Sequence, residues 1–272
     1  MKTGMFVSSK GGSGKTTTAF NLAGKLALQN KKVLILDLDE NRGLSKRFGL
    51  ATEVHGTTND IFYNKPVRVE NPKKNIFIIP GSVNNGELLN KHLNGMPGWE
   101  KKLLNWIYTP TEEYNWFDFD YIFFDTHPND TTLNKIITMT SDVIFDFITG
   151  DKIGAQDRLE YEAQFDLLKE NKIEINLDTK QFESTINGKL YHIGSAFDFS
   201  KTGTQEYAET QKDVLLTIIP KFALIENSKK FNVSANEQFK NMYPSLKKRN
   251  KKLMEETDIA YNKMIEVLDA AE

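Results

Sequence analysis

Between an apolar run, GMFVSS (4–9), and a helical stretch that begins at Lys15, the chain places three glycines in four positions, GGSG (11–14). Glycine reaches backbone conformations closed to other residues, so a loop of this kind can turn successive N–H groups toward one point. The helix behind it adds the positive end of its dipole at that point. Strand, glycine loop and helix together form a cradle for an anion, and they commit the chain to a unit whose site lies at the carboxyl end of a strand. The common phosphate-loop pattern G-x-x-x-x-G-K-[ST] is met at Gly14, Lys15 and Thr16, but Ser9 stands where it asks for glycine. Lys10 follows, a charge at the mouth of the cradle.

Apolar runs alternate with helical patterns along the rest of the chain, which predicts an α/β fold with a doubly wound, mostly parallel sheet around the loop. Strands are expected at 4–9, 32–39, 75–81, 119–126, 141–150, 190–198 and 214–220, and helices at 15–29, 154–171 and about 251–270. Two of the strands end in acids: KVLILDLD (32–39) in Asp37 and Asp39, and FDYIFFDT (119–126) in Asp125. Open sheets of this kind bind ligands at the carboxyl ends of their strands, so these acids and the glycine loop are expected to meet. With no internal repeat or low-complexity linker, residues 1–272 read as one domain. The aromatic-rich stretch 99–121 is expected to cover one edge of the core, and 172–190, with its Asn187-Gly188 turn signal, to form a surface hairpin.

Composition narrows the chemistry. The 272-residue chain has no cysteine, which removes disulfides, thiolate metal sites and cysteine nucleophiles. Its four histidines (55, 92, 127 and 192) lack zinc-ligand spacing, and no apolar run nears the ~20 residues of a membrane span. A cytoplasmic protein is expected. Net charge is −2, yet residues 221–252 carry nine Lys or Arg against Glu226 and Glu237, and 253–272 six acids against Lys263.

The loop KGGSGKTT (10–17) resembles that of the deviant Walker A ATPases, and in particular the ParA-type DNA-partitioning family, whose pattern is K-G-G-x-G-K-T-T. LILDLDEN (34–41), IFFDTHP (122–128) and TIIPKFALIENSKKF (217–231) extend the resemblance over most of the chain. It implies ATP or ADP with Mg²⁺ as ligands, held by Lys10, Gly11, Gly12, Ser13, Gly14, Lys15, Thr16 and Thr17. By the same resemblance Lys15 reaches the phosphates of its own subunit, and Lys10 those of a partner in an ATP-sandwich homodimer. Thr16, Asp37 and Asp125 would serve the metal, Asp39 the attacking water, and Phe197, Asp198, Pro220 and Phe222 the base. Asp151 is a further expected partner of Lys10 across the dimer. Two departures stand out: Asp37-Leu38-Asp39-Glu40-Asn41 where the family commonly has D-x-D-P-Q, and Asp125-Thr126-His127-Pro128 where it has D-x-P-P. They bear on the geometry of the switch loops, and His127 reads either as a pH- or γ-phosphate-sensing residue or as a bystander.

The resemblance also implies slow, partner-stimulated hydrolysis, non-specific DNA binding on the nucleoid and a ParB-like adaptor. Candidate DNA contacts are Lys229, Lys230, Lys240, Lys247, Lys248, Arg249, Lys251 and Lys252. With the loop at residues 10–17, no N-terminal helix-turn-helix domain is expected before it. A MinD-like positioning ATPase acting at a membrane or protein surface is the alternative, but the last helix pairs its apolar stripe (Leu253, Ala260, Tyr261, Met264, Leu268) with an acidic face. An anionic membrane would repel it, so the stripe is expected to pack on the body.

Overall fold

A computed structural model describes residues 1–50, 55–83, 86–111, 113–128, 131–175, 182–198, 200 and 202–271. In chain order it begins β1 (Lys2–Val7), α1 (Lys15–Leu28), β2 (Val33–Leu38), α2 (Gly43–Arg47), α3 (Thr58–Phe62), β3 (Glu70–Lys73), β4 (Ile76–Ile79), α4 (Glu87–Asn94) and α5 (Lys102–Ile107). There follow β5 (Tyr121–Thr126), α6 (Thr132–Thr140), β6 (Val143–Ile148), α7 (Lys152–Asn171), β7 (Ile173–Ile175), β8 (Phe182–Ser184) and β9 (Lys189–Phe197). The chain closes with α8 (Thr202–Gln211), β10 (Leu215–Pro220), α9 (Ala223–Phe231), α10 (Ala235–Lys240) and α11 (Pro244–Asp269).

Among the described residues the main sheet has eight strands in the order β10-β9-β6-β1-β5-β2-β4-β3. All neighbours are parallel except the edge pair β3–β4. The predicted doubly wound α/β fold is the observed one. β1 lies between β5 and β6, so the glycine loop leaves the sheet near its middle, flanked by the ends of both neighbours.

Alternation along the central strands assigns the two faces. Phe6, Val33, Ile35, Tyr121, Phe123 and Phe145 pack under α1 and α11, while Met5, Leu34, Leu36, Ile122, Phe124 and Ile144 pack under α3 to α7. Because side chains in a strand repeat with period two, Asp37 shares the face of Ile35, and Asp125 that of Phe123. Both acids are thereby directed to the side on which α1 begins.

Two expectations change. The final helix starts at Pro244 rather than near residue 251; proline's fixed φ and missing N–H suit a first helical turn, so SLKKRNKK (245–252) is helical. A hairpin does form within 172–190, between β7 and β8, but its connection lies at 176–181, outside the described residues. Asn187-Gly188 instead leads into β9. There a side chain at 188 would run into the Ser141 carbonyl, so the glycine serves close backbone approach. The aromatic stretch covers the core edge as expected: Trp116 is fully buried, with the Trp106 ring tilted by 33° at a centroid distance of 4.3 Å, although Tyr108 and Phe117 are exposed.

The stripe on α11 packs inward against β10 and β1. Met254, Thr257, Ala260, Tyr261, Met264 and Leu268 are all buried, and Tyr121 donates a 2.6 Å hydrogen bond to Asp269 at the helix end. Met264→Ala should cost about 2–4 kcal/mol in urea unfolding through the cavity it leaves. Ile259→Ala, on the exposed side of the same helix, should stay within about 0.5 kcal/mol.

Candidate nucleotide site

The loop that follows β1 is organised around one hydroxyl. Ser8 Oγ donates to the Lys10 carbonyl at 2.7 Å and accepts from Ser13 Oγ at 2.7 Å and from Lys15 Nζ at 2.9 Å. Ser8, Ser13 and Lys15 are buried, whereas side chains built at Gly11 and Gly12 would meet nothing within 4 Å. The loop therefore has a closed floor and an open rim. Gly14, which caps α1, has φ +96° and lies against Ser195 Oγ; a side chain there would be both strained and obstructed.

Beneath the start of α1 the two strand-end acids meet. Asp37 and Asp125 occupy facing positions on neighbouring strands, and both are 0% exposed. Thr16 Oγ1 donates to Asp125 Oδ1 at 3.1 Å, and Asp125 Oδ2 is buried with no hydrogen-bond partner among the described residues. Asp37 Oδ2 accepts from the Ser45 backbone N–H at 2.8 Å and from its hydroxyl at 2.6 Å, which anchors α2. Asp39, also buried, accepts at Oδ1 from the Asn41 N–H at 2.8 Å.

Burial pushes the Asp37 carboxyl up to about 6, with Asp39 adding repulsion and Ser45 pulling the other way. Burial also raises Asp125 well above the carboxylate range; Asp37 and Asp39 reinforce the shift, and Thr16 and Lys15 oppose it. Burial lowers Lys15, which Asp125, Asp39 and Asp146 counteract. Acid outweighs base at this edge, and the glycine loop beside it offers N–H groups. A cation held against Thr16 and Asp125, accompanied by phosphate on the loop, fits this donor set: an orphaned buried carboxylate oxygen beside a hydroxyl suits a hard, oxygen-preferring metal ion.

A family model described as an AAA domain (AAA_31) matches residues 1–155, more than half of the chain. The chain belongs to that family. The chromosome-partitioning ATPase Soj of Treponema pallidum is 42% identical over 86 residues, covering 30% of this chain and 33% of Soj, so the match spans only a third of that relative's length. The ParA family protein pGP5-D of the Chlamydia psittaci virulence plasmid is 28% identical over 204 residues, 73% of this chain and 70% of pGP5-D. The resemblance to ParA-type ATPases read from the loop is thus upheld.

Among solved structures, apo McdA of Cyanothece superposes with a TM-score of 0.71 at 21% identity, covering 94% and 99% of the two chains. A plasmid partition protein of Borrelia burgdorferi gives 0.65 at 20% identity, over 89% and 99%. Cobyrinic acid a,c-diamide synthase of Mycobacterium smegmatis with bound ADP and magnesium gives 0.67 at 16% identity, over 87% and 93%. A fold shared by partition proteins and a biosynthetic synthase does not itself decide function; the site must.

Within this AAA_31 chain the remaining candidates separate. Ser13 and Thr17 are buried at the loop and first turn of α1. Phe197 and Phe222 are only 1% and 2% exposed, because both strand-end rings turn into the core. Pro220 is buried too. Phe197 reaches the wall of a cavity of about 980 Å³ together with Asp151, Asp198 and Tyr207. Asp198 faces Lys221 at 3.7 Å. Asp151 caps α7 by accepting from the Gly154 N–H at 2.8 Å.

Lys10 is held within its own chain by Asp157 of α7 at 2.8 Å. Asp157, Ser8 and Ser45 escaped the sequence reading: a lone acid on a helix and two serines carry no motif. Of the basic candidates, Lys247 Nζ donates to the Lys240 carbonyl at 2.8 Å, which joins α10 to α11. Lys248, Arg249, Lys251 and Lys252 are exposed on the first turns of α11, and Lys230 is exposed on α9. The side chain of Lys229 lies outside the described residues. Lys251 and Lys252 pair along the helix with Glu255 and Glu256, at 3.7 and 3.9 Å. Among the described residues, no helix is long and apolar enough to cross a membrane.

A carboxyl whose folded pKa lies above its unfolded value destabilises the fold when ionised. For Asp37 that penalty is complete above about pH 6 and vanishes toward pH 4. Asp37→Asn, unfolded with urea in EDTA and without nucleotide, should be more stable than the parent by about 2–3 kcal/mol at pH 7.5. The gap should close as pH falls through 6.

Proposed function

We propose that this protein is a partition ATPase in which ATP binding drives homodimerisation, the dimer holds DNA without sequence preference, and hydrolysis, stimulated by a ParB-like adaptor, releases it. The observation that carries the reading is the meeting of the glycine loop, Lys15, Thr16 and Asp125 at one sheet edge, with Lys10 at the outer side of the loop. The backbone N–H groups of residues 11–17 would receive the phosphates, and buried Lys15 would turn from Ser8 to them. Thr16 and Asp125 would hold Mg²⁺, with Asp37 behind Asp125 fixing α2 through Ser45. When bound, Mg²⁺ supplies positive charge against the phosphate oxygens. Asp39, fixed by the Asn41 N–H, is the group to orient an attacking water.

Lys10 belongs to a different task. Its ammonium is bound to Asp157 rather than to the loop, so it is available to a partner's phosphates only after that ion pair opens. Half-exposed ion pairs of this sort contribute about 0–1 kcal/mol, an amount that a bound nucleotide readily exceeds. Lys15→Ala should abolish ATP binding in calorimetry. Lys10→Ala should bind ATP normally yet stay monomeric in sedimentation with ATP and Mg²⁺, and Asp157→Asn should dimerise at lower protein concentration than the parent. A dimeric Lys10→Ala protein would refute the role in trans.

The DNA reading rests on the exposed basic end of α11. Lys and Arg contacts to phosphate give affinity that falls steeply with salt, by a slope of roughly 0.9 per phosphate neutralised. The triple variant Lys248→Ala, Arg249→Ala, Lys252→Ala should lose at least tenfold in ATP-dependent affinity for random duplex DNA and show a shallower salt slope, with ATP binding intact. Binding to anionic vesicles in place of DNA would favour the positioning alternative, although the burial of the α11 stripe argues against it.

A further inference from the structure

The two departures from the family pattern, Glu40 and His127, meet. His127 Nε2 lies 3.1 Å from Glu40 Oε1, joining the loop after β2 to the loop after β5. Each of these loops adjoins one of the acids of the site: Asp39 directly precedes Glu40, and Asp125, near the end of β5, lies two residues before His127. The contact continues on both sides. Asn134 Nδ2 donates to the His127 carbonyl at 3.0 Å, which ties that loop to α6. The other Glu40 oxygen, Oε2, lies against Gly86 at the start of α4, close enough that any side chain at 86 would collide with it. Asn41, next to Glu40, supplies the N–H that holds Asp39 Oδ1 at 2.8 Å, and the Arg42 N–H closes the turn on the Asp39 carbonyl at 2.9 Å.

A proline stiffens a loop by itself, because its ring fixes φ. With Glu40 and His127 at these positions that restraint is absent at 40 and at 127, although Pro128 follows in the second loop, and the contact between the two side chains ties the loops to each other. The order of each loop then depends on the other. We propose that Glu40 and His127 act as a pair of positioning residues that couples the two loops and so sets Asp39 relative to Asp125 for ATP hydrolysis. The catalytic part of this inference rests on the ATPase reading above; the coupling itself does not.

The test therefore has two readouts. The first is amide hydrogen exchange of the nucleotide-free protein, followed over peptides spanning 38–43 and 126–134 in the parent, in Glu40→Gln and in His127→Gln. Each substitution should speed exchange at least threefold in both loops, including the one it does not touch. The exchanged pair, Glu40→His with His127→Glu, should restore protection. Loosening confined to the substituted loop overturns the coupling, as does a double variant, Glu40→Gln with His127→Gln, whose effects are the product of the two singles.

The second readout is steady-state ATP hydrolysis with ATP affinity measured separately. Each single substitution should lower kcat five- to tenfold and leave the ATP Kd within twofold, because the glycine loop and Lys15 are untouched. The double should be no slower than the slower single, and the exchanged pair should recover at least half of the parent kcat. Equal losses in kcat and ATP affinity, or no recovery in the exchanged pair, overturn the positioning role. If the parent hydrolyses no ATP under any condition, the ATPase reading fails, while the exchange data still decide the coupling.

Discussion

Asp37 and Asp125 face each other on adjacent strands with no exposure to solvent, and Lys15 is buried beside them. Removing such charges from water costs several kcal/mol each before any partner is counted, so the surrounding structure is arranged to offset that cost. The five-residue helix α2 is too short to be stable alone, yet its Ser45 gives Asp37 two hydrogen bonds, and Arg47 lies 4.6 Å from the centre of the Phe20 ring of α1. Thr16 at the first turn of α1 serves Asp125, and Ser8 at the end of β1 serves Lys15. The compensation within the chain is incomplete, since one oxygen of Asp125 remains without a hydrogen bond among the described residues. What would complete it is positive charge against the acids together with negative charge on the glycine loop, the pairing that a metal–nucleotide complex brings.

This arrangement was legible in the sequence to the extent that it obeys local rules. The period of two along residues 33–39 and 119–126 is enough to place Ile35 with Asp37 and Phe123 with Asp125, and the glycine loop marks the helix start above them. The local rules misled where a residue serves a distant neighbour. Asn187-Gly188 is a strong hairpin signal, yet Gly188 is required by the Ser141 carbonyl of another segment. The expected helix begins only near residue 251, but Pro244 ahead of KKRNKK and the buried face behind it carry α11 through that stretch. Asp157 beside Lys10, and His127 beside Glu40, are pairings between segments far apart in the chain. Each partner could be seen singly, the second pair even as departures from a pattern, but only the sheet order β1-β5-β2 brings the loops after β2 and β5 side by side.

The placement of α11 limits how the two proposed activities can communicate. Its acidic half is pinned by Met254, Ala260, Tyr261, Met264 and Leu268 to β10 and β1, and its basic half is a rigid continuation of the same helix. β1 is also the strand that delivers the glycine loop, and Leu268 packs beside Gly4 within it. A helix held in this way cannot swing toward or away from DNA when nucleotide binds without tearing its own core contacts, at about 2–5 kcal/mol for each large side chain uncovered. On the proposed reading, nucleotide controls DNA affinity by number rather than by motion. One copy presents one basic helix end and two joined copies present two on a single body, so the second engagement becomes intramolecular and the affinity rises without any new contact. Lys10 is then the residue that links the halves of the mechanism, since its release from Asp157 is what allows two basic ends to be counted together.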